Sequence, residues 1–231
     1  KNKLDKSEFD KRSLNSYQLR FPSKIELLYN IAFRRYFSLQ ENLFYSRSNL
    51  GMVDKIIDKI QPELVYVDMI RTSQYIENYD IYKVIDIDDL LSIRYQRFIS
   101  QKESSIFGTF SSVVPSFIRN VVGKILKNII LEYESKKIGN REIEIVEKYD
   151  SCFLVSEKEK DHLIMKTNSH NIYTNTQAIK PRENLYEKNV KCNNLLFIGN
   201  MLTAQNKSSL EMIVDEILPK FRFNYKFFVV G

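Results

Sequence analysis

The stretch that most limits the fold is Leu195–Gly231, LLFIGNMLTAQNKSSLEMIVDEILPKFRFNYKFFVVG. Leu195–Ile198 is an apolar run of the length a buried parallel strand uses. Gly199 ends it, where the backbone needs either a positive φ or room for something to approach closely. After the polar loop Asn200–Lys207, the residues Leu210, Ile213, Val214, Ile217 and Leu218 share one face of a predicted helix, and Pro219 follows its end. A second apolar run, Phe227–Val230, closes at Gly231. Strand, loop, helix and strand in that order build a parallel α/β sheet. Two strands cannot bury both faces of a sheet, so this unit either joins an upstream sheet or opens a larger one. We read it as the start of a second sheet domain, in a chain that is a fragment; a first residue of Lys rather than Met agrees.

Upstream, Ser23-Lys24-Ile25-Glu26 reads as a capping box opening a helix to about Ser38, with Ile25, Leu28, Tyr29, Ala32, Phe33, Tyr36 and Phe37 as its apolar and aromatic positions. A second helix covers about Met52–Ile60 and stops before Pro62. Leu64–Val67 reads as a strand ending at Asp68, Thr72–Tyr79 as a short helix, and Val84-Ile85 as the centre of another strand followed at once by Asp86-Ile87-Asp88-Asp89. In open parallel sheets ligands sit beyond the carboxyl ends of the strands, which is where Asp68, Asp86, Asp88 and Asp89 fall. The alternative is that these carboxylates cap the next helix, Leu90–Ser100.

Phe117–Tyr133 carries the clearest helical period: Phe117/Ile118, Val121/Val122, Ile125/Leu126 and Ile129/Ile130 against Arg119, Lys124 and Lys127. Such a stripe packs on a domain core or lies on an anionic membrane; both readings stand. Ile138–Tyr149 continues as a Glu- and Lys-rich helix. Cys152–Val155 reads as a strand, Ser156–Glu159 as a second capping box opening the helix Lys158–Lys166, and Asn171–Tyr173 as a short strand. The polar segment 175–194 lacks periodicity and reads as a linker between an N-terminal domain, 1–174, and the second domain, 195–231.

Composition narrows the class of function. With 43% hydrophobic and 28% charged residues the chain is an ordinary globular sequence. Its net charge of +6 is dispersed, with no basic run interleaved with aromatics, so nucleic acid is not the expected partner. Cys152 and Cys192 offer neither a disulfide framework nor a metal pair, which favours a reducing compartment. His162 and His170 read as surface and loop residues, and no His, Cys or carboxylate cluster has metal spacing. No run reaches the roughly 18 apolar residues a membrane span requires.

Taken in order, VIDIDDLLSIRY (Val84–Tyr95), EKYDSCFLVSEKEKDHL (Glu147–Leu163), FIGNM (Phe197–Met201), Asn206, EILP (Glu216–Pro219) and FVVG (Phe228–Gly231) resemble the retaining glycosyltransferases of the GT-B class, family 4 type, from bacterial surface-polysaccharide and lipid-linked glycan assembly. The resemblance covers roughly Pro62–Gly231. It implies two Rossmann-like, doubly wound parallel sheet domains, the N-terminal one lacking its first strands and the C-terminal one truncated. It implies a nucleotide-sugar donor as co-substrate, a saccharide or lipid-linked acceptor, and no metal or other cofactor; the expected location is cytoplasmic, and the membrane reading of the stripe 117–130 would add a place at the inner face of the membrane. By the same resemblance Asp86 and Asp88 are catalytic, Asp89, Arg94, Ser156 and Glu157 bind substrate, and Gly199, Asn200, Asn206 and Lys207 hold the donor. Departures are plain: Asn200 stands where many members carry Arg, and Asn175-Thr176-Gln177-Ala178 replaces the usual Asn-Gly-Val-Asp. The chain alone is expected to be inactive. The other reading is a non-catalytic α/β nucleotide-binding or scaffolding module derived from such an enzyme.

Overall fold

The computed structural model describes residues 16–100, 124–176, 178, 193–201 and 203–231. The elements are α1 (Lys24–Phe33), α2 (Leu39–Phe44), α3 (Arg47–Ile60), β1 (Leu64–Asp68), α4 (Ile70–Ser73), β2 (Tyr82–Asp88), α5 (Leu91–Ser100), α6 (Lys124–Lys148), β3 (Ser151–Leu154), α7 (Glu157–Thr167), β4 (Ile172–Thr174), β5 (Asn194–Ile198), α8 (Ala204–Met212) and β6 (Lys226–Val230). One compact unit falls within Lys1–Leu91 and Lys136–Thr176, and a second within Ser92–Ser135 and Gln177–Gly231.

The first unit holds a four-stranded sheet in the order β1-β2-β3-β4, parallel throughout. The fold is therefore α/β with a parallel sheet, compatible with a Rossmann-like arrangement. The strand order never reverses, so the described strands contain no topological switch point of a doubly wound sheet. Ile85, Ile87, Cys152 and Leu154 are buried in the sheet, Ile70, Ile138, Ile145 and Leu163 on the surrounding helices, and Leu90 just ahead of α5. Apolar runs on central strands are what a parallel sheet covered by helices demands.

The N-terminal helix is shorter than its periodicity predicts. Ser23 Oγ accepts the Glu26 N–H at 3.2 Å, but the Glu26 carboxylate turns to the Arg47 N–H at 2.7 Å, so the reciprocal half of the box is lost. The helix ends at Phe33, and the reciprocal box forms at the next start: Ser38 Oγ accepts from Glu41 N–H while Glu41 Oε2 accepts from Ser38 N–H. The helix expected at Met52 begins at Arg47, and that expected over Thr72–Tyr79 is a single turn at Ile70–Ser73.

Between β2 and β3 the described parts of the crossover are α5 and α6, joined by the Ser135 hydroxyl donating to Ser92 O at 2.9 Å. Helix α6 merges the end of the first predicted amphipathic helix with the whole of the second. Residues 117–123 lie outside the described residues, and nothing tests the membrane contact assigned to 117–130. Among the described residues no helix is long and apolar enough to cross a membrane. The linker 175–194 lies almost wholly outside them too.

The unit's most buried cation among the described residues is Arg141, 1% exposed. Its Nε donates to Glu41 Oε1 at 2.9 Å, its Nη1 to Glu144 at 2.6 Å and its Nη2 to Glu77, which also takes Lys148 Nζ at 2.8 Å. Burial would lower the Arg141 pKa, but Glu41 and Glu77 raise it above the usual guanidinium value. Burial pushes the Glu41 carboxyl upward against the pull of Arg141. Both of its oxygens accept N–H bonds, from Arg141 and Ser38, which describes a carboxylate rather than an acid. The network ties α6 to α2 and to the turn after α4.

In the second unit β5 and β6 pair in parallel, Leu195 opposite Phe227 and Ile198 opposite Val230, as a separate two-stranded sheet. The predicted helix divides: α8 gives way to a π turn at Ile213–Ile217 and a 3₁₀ turn at Leu218–Lys220. A π turn widens the winding and shifts the residues beyond it around the axis. Leu218 is buried while Val214 and Ile217 stay exposed, so the single apolar face expected of this helix is broken.

Candidate functional site

The carboxyl ends of β1, β2 and β3 lie side by side, with Asp68 opposite Asp86 and Asp88 opposite Leu154. Asp86 is half-buried and its carboxylate is held twice: Oδ2 accepts the Tyr66 hydroxyl at 2.8 Å and Oδ1 accepts the Asp88 N–H at 3.1 Å. Burial and then the bond to Asp86 push the Tyr66 pKa up to about 12, so the phenol stays a donor at neutral pH. The strand centred on Val84-Ile85 runs from Tyr82 through Asp88, with a bulge against β3 between Asp86 and Asp88.

Two backbone outliers mark the same edge. Met69, after β1, has φ 65 and ψ 151, a region essentially reserved for glycine. Its N–H donates to Asp86 O at 2.8 Å, a bond across the strand ends that holds the residue there. Asp88 has φ 68, within reach of Asp but still uncommon. Strain of this kind costs about 1–3 kcal/mol per residue and persists only where surrounding structure imposes it; such sites cluster where ligands bind.

Arg71, from α4, adds a cation to the group. Burial lowers its pKa, Asp68 and Asp88 oppose that, and its guanidinium sits 4.9 Å from the Phe44 ring centre. Neither Tyr66 nor Arg71 is distinguishable in the sequence, because only the register of β1 on β2 brings Tyr66 to Asp86 and only the turn after Met69 brings Arg71 to Asp68 and Asp88.

The remaining predicted residues divide. Asp89 is half-buried at the start of α5. The neighbouring Leu90 N–H donates to Glu159 Oε2 at 3.0 Å, so a distant carboxylate from α7 serves this helix start. That bond also uses up the capping box predicted at Ser156: Ser156 is the N-cap, but its side chain makes no capping bond, and its expected partner Glu159 faces Leu90 instead. Glu157 is exposed and pairs with Lys160 one turn on, which holds its carboxyl below the usual range. Arg94 is half-buried on α5 within the second unit.

The loop from β5 to α8 is also in the second unit. Asn200 O accepts the Thr203 hydroxyl and the Asn206 Nδ2, both at 3.0 Å. Thr203 Oγ1 caps α8 by accepting from Asn206 N–H. A Cβ on Gly199 would lie 3.1 Å from Asn206 Nδ2, and one on Gly231 would lie 1.9 Å from Gly199 O. Gly231 is thus required by the close approach of backbone at the ends of β5 and β6, whereas at Gly199 a small shift of the Asn206 side chain would make room. Lys207 is exposed on α8, one residue beyond Asn206.

Among the described residues no three His, Cys, Asp or Glu side chains converge as a metal site. Comparison with family models, with curated proteins and with solved structures finds no match to this chain.

Proposed function

We propose that the chain is part of a retaining glycosyltransferase that moves a sugar from a nucleotide-sugar to a saccharide or lipid-linked acceptor at the cytoplasmic side of a cell envelope. The observation that carries this reading is the strained carboxylate edge of the four-stranded sheet: Asp86, positioned by Tyr66 and the Asp88 N–H, beside the Met69 outlier. Carboxylates fixed at parallel strand ends suit hydrogen bonding to sugar hydroxyls, and one of them can take the proton released as an acceptor oxygen bonds to the anomeric carbon. On this reading Asp86 and Asp88 serve the acceptor side. The Gly199–Asn206 loop and the start of α8 serve the leaving diphosphate, through backbone N–H groups and the positive end of a helix. Asn200 and Lys207 then take the place of the more usual basic pair.

The test uses the protein translated from the complete open reading frame, titrated with UDP-, GDP- and ADP-sugars. A donor that binds only the folded state raises the melting temperature by mass action. One donor is expected to do so, and Asp86→Asn is expected to keep that shift while slowing transfer about 10²–10⁴-fold. No shift with any donor would defeat the transferase reading in favour of a scaffolding module.

A further inference from the structure

Helix α1 is mounted inside out. At about 100° per residue, Ile25, Leu28, Tyr29 and Phe33 share one arc while Leu27, Asn30 and Arg34 share the opposite one. A helix on a globular core normally buries the first set. Here Ile25 is 82% and Phe33 72% exposed, with Leu28 and Tyr29 exposed between them, whereas Asn30 is 1% exposed. Specific polar bonds fix that orientation. Asn30 Nδ2 donates to Asn42 O at 3.2 Å and to Tyr45 O at 2.9 Å, and Arg34 reaches Gln74 Oε1 at 2.9 Å while lying 3.4 Å from the Tyr45 ring centre. A helix held so firmly by its polar side presents its apolar side by construction, and an exposed apolar stripe of this kind marks a contact surface.

The charges around the stripe say what it meets. Lys24 is exposed at its start, Arg35 is exposed just past its end, and Arg20 is exposed in the segment leading in. The only acidic residue of α1, Glu26, is occupied by the Arg47 N–H. Lys24 lies in the first helical turn, where the helix dipole disfavours a cation and an external anion would relieve the cost. Tyr29 lies tilted against Phe33, ring centres 4.8 Å apart, and pairs an apolar body with a polar tip. Apolar and aromatic residues between cations, on a short helix lying along the surface, match the interfacial zone of an anionic bilayer, where such a helix sinks about 5–10 Å. We propose that α1, through Ile25, Leu28, Tyr29 and Phe33 with Lys24 and Arg35, is a docking face for an anionic lipid surface.

The inference is independent of sugar transfer, and so is its test. The full chain is floated with vesicles of phosphatidylcholine alone and of phosphatidylcholine with phosphatidylglycerol, circular dichroism serving as the fold control. The wild-type chain is expected to float with the anionic vesicles, more weakly as salt rises. Ile25→Glu/Phe33→Glu changes two exposed positions, so it should fold, and it is expected to cut the bound fraction more than tenfold. Lys24→Gln is expected to cut it about fivefold. Failure of the wild type to float, or wild-type flotation of the folded double variant, overturns the proposal. A wild-type dimer that the double variant dissolves, with no vesicle binding by either, also overturns it and assigns the stripe to a second copy of the chain.

Discussion

The two sheets are built from the same sequence grammar and reach opposite states of burial. In β2 and β3, Ile85, Ile87, Cys152 and Leu154 are sealed. In β5, Leu196 and Ile198 are 58% and 72% exposed, and Phe228 and Val230 lie open on the same face of β6. Both sets are apolar residues on parallel strands joined through a helix. The difference is in what surrounds them: the first sheet has four strands and buried residues on the helices around it, the second has two strands and a helix interrupted by a π turn. Hydrophobicity is thus a demand for cover, and the cover comes from elsewhere in the fold.

Three experiments sharpen that contrast, beginning with the largest effect. Arg141→Met should cost about 3–5 kcal/mol in urea denaturation, because it leaves the buried Glu41 and Glu77 carboxylates without their shared cation. Adding Glu41→Gln should restore part of that loss; a cost near zero for the single variant would show that the network contributes nothing to docking α6. Next, Leu154→Ala should cost about 2–5 kcal/mol, while Ile198→Ala, on the open sheet, should stay within about 0.5 kcal/mol. Equal losses at the two positions would dissolve the comparison between the sheets.

The smallest effect lies in alkaline pH. Burial pushes the Cys152 thiol from its ordinary 9.0 up to about 12, and burial raises Tyr149 in the same core. The folded state therefore holds protons that the unfolded chain releases. That contribution is complete below pH 9.0, the unfolded thiol's value, and is lost as pH rises toward about 12. The urea midpoint should fall across that window and fall less in Cys152→Ala. Superimposable profiles would mean the thiol is not held protonated by the core.

Much of the first unit was legible because its signals are local. The β–α–β crossover from Pro62 to Asp89, the strand at Cys152 and the helix after it follow from short apolar runs bounded by polar turns, and each lies within a few residues of its expected place. Several of the failures share a cause, a side chain whose partner is distant in sequence. Glu26 turns to Arg47, Glu159 to Leu90 and Arg141 to Glu41, and each of these contacts changes what the local pattern implies. The candidate site divides the same way: strand-end logic reaches Asp86 and Asp88, whereas Tyr66, Met69 and Arg71 join them only through register and backbone conformation.

The sequence by itself determined the α/β class, the parallel pairing and the acidic strand ends, because periodicity and turn chemistry act over a few residues. Tertiary structure alone decided which apolar residues are buried, which way α1 faces and why Gly231 is a glycine. Those outcomes depend on contacts between segments tens of residues apart, whose energies no local pattern encodes.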